Sequence, residues 1–120
     1  MIDFIRRLLG GDFTPLEHGA VALFIQSITL GISYILFGFT TAVIAMSALP
    51  GIFCFFGREH AQAEDRIKTE RKSKELSWDI VIEAMKFWKW DYPSFMDLFV
   101  PVVANVLVST VLLTVRLFLK

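Results

Sequence analysis

The stretch G-A-V-A-L-F-I-Q-S-I-T-L-G-I-S-Y-I-L-F-G-F-T-T-A-V-I-A-M-S-A-L-P-G-I-F-C-F-F-G, residues 19–57, carries no charged side chain. A run of 18 or more apolar residues is a transmembrane signal. The part from Ala20 to Phe56 is 37 residues, roughly 56 Å as a single helix at 1.5 Å per residue. The hydrocarbon core of a bilayer is about 30 Å thick and takes about 20 residues. One straight span therefore leaves nearly half of the block unused, whereas two spans joined by a tight turn fit. The natural break is Phe37-Gly38-Phe39-Thr40-Thr41, near the middle. This predicts spans over 15–37 and 40–57. A re-entrant wedge that does not fully cross is the alternative.

A second charge-free run, Leu98 to Val115, predicts a further span over 94–118. Ser94-Phe95-Met96-Asp97 reads as a capping box opening it, and Arg116 and Lys120 can snorkel at its far end. Thr14-Pro15-Leu16-Glu17 reads as a similar start for the first span. Residues 1–13 form a surface tail. Ile2, Ile5 and Leu9 share one face there, which suits a short helix in the membrane surface or a frayed end.

Composition agrees. Apolar residues make up 55% of the 120-residue chain, and once glycine is counted the apolar share exceeds that of a soluble domain. The fold class is therefore an all-α membrane protein. A transmembrane hairpin and a third transmembrane helix are joined by a charged and amphipathic helical segment.

The 12 basic and 12 acidic groups balance. No block is basic enough to hold nucleic acid. The segment 58–97 holds eight of the 12 Lys and Arg residues. By the positive-inside rule it is cytoplasmic, as is the N-terminus, and the C-terminus is then outside. The sole cysteine, Cys54, lies within an apolar run and cannot form an intramolecular disulfide.

Within that segment, residues 58–76 read as a charged helix. The spacing places Glu64–Lys68, Arg66–Glu70, Glu70–Lys74 and Arg71–Glu75 as opposite charges at i, i+4. It is either a solvated helix leaving the membrane or a docking surface for a cytoplasmic protein partner. Residues 77–91 read as an interfacial helix. Trp78, Val81, Ile82, Met85 and Trp88 fall on one face, with Trp90 and Tyr92 following, and Trp and Tyr concentrate at membrane interfaces.

Catalytic motifs are not evident: no phosphate loop, no metalloprotease helix, no paired cysteines. His18 and His60 each follow a glutamate, but adjacent residues do not share a helix face, so neither pair makes a metal site. The expectation is a non-enzyme with no cofactor and no metal. Helix association is the expected business of the spans. Thr41, Ala45 and Ala48 form a small-residue stripe, of the kind that lets helices approach closely in lipid. Gln26 and Asn105 read as interhelical hydrogen-bond donors and acceptors, or as lining of a polar path in an oligomer. Neither apolar run contains a charge, which argues against a proton relay.

Gly57-Arg58-Glu59-His60-Ala61-Gln62-Ala63-Glu64 resembles a run in small membrane proteins of tailed bacteriophages, where it follows an apolar span. A final span there opens with an acidic residue and a nearby proline, like Asp97 and Pro101. The shared residues are Gly57, Arg58, Glu59, Ala61, Gln62, Ala63 and Glu64, and Asp65 departs from the usual aromatic. Members of that group include proteins assigned as holins. The resemblance implies a holin-like protein that homo-oligomerises in the bilayer and permeabilises the bacterial inner membrane during host cell lysis. A non-catalytic membrane scaffold or virion-associated protein, recruiting partners through 58–90, is the other reading.

Overall fold

The computed structural model describes residues 1–72 and 75–120. Among them there is no β-strand, and three helical stretches are long and apolar enough to cross a membrane. The protein is thus an all-α, multi-pass membrane protein. Helix α1 is Ile2–Leu8, α2 is Thr14–Phe37, α3 is Thr41–Ser47, α4 is Leu49–Glu70, α5 is Trp78–Ala84 and α6 is Tyr92–Phe118; a 3-10 turn, Phe87–Lys89, lies between the last two.

Helices α2 and α3–α4 form the hairpin, and the break falls where the apolar length requires it. Gly38 has φ of 75°, a left-handed conformation that favours glycine. Thr40 then caps α3, its hydroxyl oxygen accepting from the Val43 N–H at 3.1 Å. At 24 residues, α2 is about 36 Å long, enough for a full crossing. The return leg is interrupted between Ser47 and Leu49. Pro50 lacks the N–H that would continue the α3 ladder, and the Ser47 hydroxyl donates to the Ile44 carbonyl at 2.7 Å.

Beyond the apolar block, α4 continues without a break to Glu70. The expected boundary at Gly57 is therefore not a helix end but a change of surroundings along one helix. Of the expected i, i+4 pairs, Glu70–Lys74 lies outside the described residues. Glu64 meets His60 at 3.2 Å, and Arg66 reaches Asp91 at 3.0 Å.

Both expected helix starts are corrected. Helix α2 begins at Thr14 after an N-cap at Phe13, and the Thr14 N–H donates to the Asp12 carboxylate at 3.1 Å. Helix α6 begins at Tyr92 rather than 94, with Asp91 as its cap, accepting from the Ser94 N–H at 3.3 Å. Pro93 fits because a first-turn proline forfeits no helical hydrogen bond. Asp97 is consequently not used in a cap.

Helix α6 packs chiefly along α2 and also against α3 and α4. The buried positions repeat at helical spacing: Pro15, Gly19, Ala22 and Gln26 on α2; Gly51, Phe55, Glu59 and Ala63 on α4; Met96, Pro101, Asn105 and Ser109 on α6. Apart from Phe55 and Met96 these stripes are small or polar, and many large apolar side chains point outward: Phe24, Ile28, Ile32, Phe53, Leu107 and Val111 are all exposed. That is the arrangement hydrocarbon favours, where close backbone approach, not burial of leucine, drives helix association. Gly51 shows the closeness. A Cβ there would stand 3.0 Å from Asn105 Nδ2 and 3.1 Å from the Ala22 carbonyl oxygen.

At the end shared by the starts of α2 and α6 and the outer half of α4, a small platform forms. Ile80 and Ala84 are buried where α5 packs against α4. The Trp90 indole N–H donates to the Ala84 carbonyl at 2.9 Å, and its ring lies 5.9 Å from that of Phe56. The Tyr92 hydroxyl donates to the Leu8 carbonyl, tying α1 to the start of α6.

Candidate functional site

Two polar clusters lie along the three long helices. The deeper one centres on Gln26. Its side-chain amide donates to Ser109 Oγ at 2.8 Å, and approaches Ser47 Oγ and the Asn105 carbonyl, each at 3.4 Å. Ser109 in turn donates to the Ile44 carbonyl at 3.4 Å. One glutamine thus links α2 to α3 and α6 at membrane depth. The Asn105 side-chain amide is also fully buried, against Gly51, yet neither its oxygen nor its nitrogen has a hydrogen-bond partner among the described residues.

The second cluster sits two helical turns nearer the platform end. His18, Glu59 and Asp97 come from α2, α4 and α6, and each offers a ligand atom within 4.8 Å of the others. His18 Nδ1 lies 3.4 Å from Asp97 Oδ1. Arg58 donates to Glu59 Oε1 and stands 4.0 Å from Asp97 Oδ2. The His18 ring also lies 5.0 Å from that of Phe55. Glu59 is 0% exposed, and its Oε2 has no hydrogen-bond partner among the described residues.

Adjacency along the chain argued against Glu17-His18 and Glu59-His60 as metal sites; the ligand atoms that do gather take His18 from one pair and Glu59 from the other. The set that does assemble draws one residue from each long helix. Sequence reasoning missed it because His18, Glu59 and Asp97 are far apart in the chain. A usable signal was present. Two steps of four along the helix lead from Gln26 to His18, from Gly51 to Glu59 and from Asn105 to Asp97.

The residues singled out for helix association divide between two environments. Gln26, Asn105 and Ala48 are buried within the chain; Thr41 and Ala45 are exposed. Thr41 receives a hydrogen bond from Arg116 at the hairpin end. Of the phage-like run, Glu59 and Ala63 are buried, Glu64 is half-buried, and Gly57, Arg58, Ala61 and Gln62 are exposed.

On the platform, Trp78 is 80% exposed, and Ile82, Met85 and Trp88 are exposed too. Trp88 lies on the 3-10 turn, not on α5, because the helix ends at Ala84. Trp90 is half-buried against Phe56, while Tyr92 is exposed. Lys86 and Lys89 donate to the Glu83 carboxylate at 2.7 and 2.9 Å and hold its pKa down at about 2. Asp91 is also held below the usual carboxylate value, first by the Ser94 hydroxyl, whose effect exceeds the opposing one of burial, and further by the Arg66 guanidinium.

No protein-family model, curated protein or solved structure matches the chain.

Proposed function

We propose that the chain is a holin-like protein that acts by lateral self-association in a bacterial inner membrane, permeabilising it without chemistry of its own. One observation carries this reading. Between α2 and α3–α4 runs an open groove of about 610 Å³. Its walls include Thr29, Ser33, Thr40, Ala42, Met46 and Pro50. A largely apolar gap, bordered by Phe37, Leu49 and Phe53 as well as by these smaller side chains, can seat another helix in lipid, and the occupant we assign is a helix of a second copy. The exposed Ala45 lies on the same short helix. The resemblance of Gly57–Glu64 to phage membrane proteins points the same way. The segment 58–97 is cytoplasmic in this reading.

The test is induction in a bacterial host with a potential-sensitive dye and a co-expressed muralytic enzyme. The wild type should depolarise the membrane abruptly after a delay and release the enzyme. Ala42→Leu, which fills the groove, should delay or abolish this while insertion is unchanged. A wild type that inserts at high level and leaves the membrane polarised contradicts the reading.

The exposed face of Trp78, Ile82, Met85 and Trp88 favours a second one, a membrane scaffold that recruits a partner through 58–90. Slow, dose-dependent toxicity in place of abrupt depolarisation would support it.

A further inference from the structure

We propose that His18, Glu59 and Asp97 form a binding site for a divalent cation of the zinc class, clamping α2, α4 and α6 together at the platform end. The inference is independent of the pore reading. It starts from the three ligand atoms, all within 4.8 Å of one another. Zn²⁺ bonds to imidazole nitrogen and carboxylate oxygen at about 2.0–2.2 Å. Tetrahedral ligands around such an ion stand about 3.4 Å apart, the separation already found between His18 Nδ1 and Asp97 Oδ1. Bringing in the remaining carboxylate takes a movement of about an ångström, within reach of a glutamate side chain.

The independent observation is Glu59. It is completely buried, and neither its Oε2 nor His18 Nδ1 makes a hydrogen bond of ordinary geometry among the described residues, although the Ser94 hydroxyl stands close to the carboxylate. A buried carboxylate oxygen with no partner is costly, and a cation would satisfy it. Arg58 does not occupy the site. It engages Glu59 Oε1 and the Asp97 Oδ2 side, leaving Glu59 Oε2 and the Asp97 Oδ1 that faces His18 Nδ1 without an arginine contact. The cluster thus sets two carboxyl groups and an imidazole beside a single guanidinium. An imidazole among the ligands favours a borderline cation such as Zn²⁺ over Mg²⁺ or Ca²⁺, which prefer oxygen alone. Three protein ligands leave a fourth position for water.

The experiment uses the purified full chain in detergent, with Co²⁺ as the spectroscopic probe and Zn²⁺ as competitor. The expected result is a visible Co²⁺ absorption band that Zn²⁺ displaces. Affinity should fall at least tenfold in Glu59→Gln and in His18→Gln, while His60→Gln keeps it. Zn²⁺ should also raise the thermal midpoint of the unaltered chain by several degrees over a chelator, a readout that needs no variant. Absence of both the band and the thermal shift in the wild type would overturn the proposal. So would loss of the band in His60→Gln, which would place the ion at His60 and Glu64.

Discussion

The cluster at Gln26 and the cluster at His18 lie on the same helices, two turns apart, yet handle polar burial in different ways. The deeper one is neutral. The Gln26 side-chain nitrogen, Ser47 and Ser109 bond to one another and to backbone carbonyls, while Gln26 Oε1 has no partner among the described residues, and hydrogen bonds between spanning helices are worth on average about 0.6 kcal/mol and at most about 1.7. The outer one is ionic. Arg58, Glu59, Asp97 and His18 gather where water and headgroups can still reach Arg58. A charge at the bilayer centre costs several kcal/mol, so neutral amides and hydroxyls suit the middle and charges suit the end. The difference locates the interior of the three-helix unit at both depths and leaves the outer surface of the spans apolar.

The most severe disturbance of the deeper cluster is steric. Gly51→Leu places a side chain against Asn105 and the Ala22 backbone. Overpacking of this kind costs about 1–3 kcal/mol or more, and here backbone stands in the way. The expected outcome is a large drop in thermal midpoint in detergent, with helix content by circular dichroism retained at low temperature.

Gln26→Met keeps length and removes the amide. It should cost about 1–2 kcal/mol, the worth of two or three weak interhelical bonds. An equal loss in a Gln26→Met, Ser109→Ala double variant would show that the two act as one unit. Strict additivity would mean that the 2.8 Å contact contributes little.

At the outer end, Asp91→Ala removes the α6 cap, at a cost of about 1 kcal/mol. Its pH dependence has a definite sign. The folded-state value lies below the ordinary 3.8, so the stabilisation is present above that pH and is lost as pH falls through the folded value. Wild-type thermal midpoints measured from pH 6 downward should therefore fall more steeply in the acid range than those of the variant.

The smallest effect is expected at Asn105. Its amide is buried without partners among the described residues, so Asn105→Leu, which keeps the branching and heavy-atom count but is bulkier, should cost little. A loss as large as that of Gln26→Met would mean that Asn105 makes a bond between protomers or to a buried water.

The spans and the break at 37–41 were legible because length without charge is a local property. Gln26 and Asn105 were legible for a related reason, since a polar residue in an apolar run must find company. The ionic cluster was missed, because it depends on the rotational phase of three helices at once and shows only when the eight-residue steps from Gln26, Gly51 and Asn105 are set side by side. The helix starts misled for a third reason. Ser94 and Asp97 have capping-box spacing, but Asp91 lies just before Tyr92-Pro93, and a proline in the first turn moves the start of α6 upstream. That shift frees Asp97 for His18.

The central claim is that α2 and α3–α4 both cross the bilayer, so that the turn at Phe39 and the end of α6 lie opposite the platform. Cysteine accessibility tests it directly, in a Cys54→Ser background with single cysteines replacing Phe39, Lys72 or Lys120. With an impermeant thiol reagent on intact spheroplasts, the account predicts labelling at positions 39 and 120, and labelling at 72 only after permeabilisation. Labelling of 39 and 72 from the same side would contradict it.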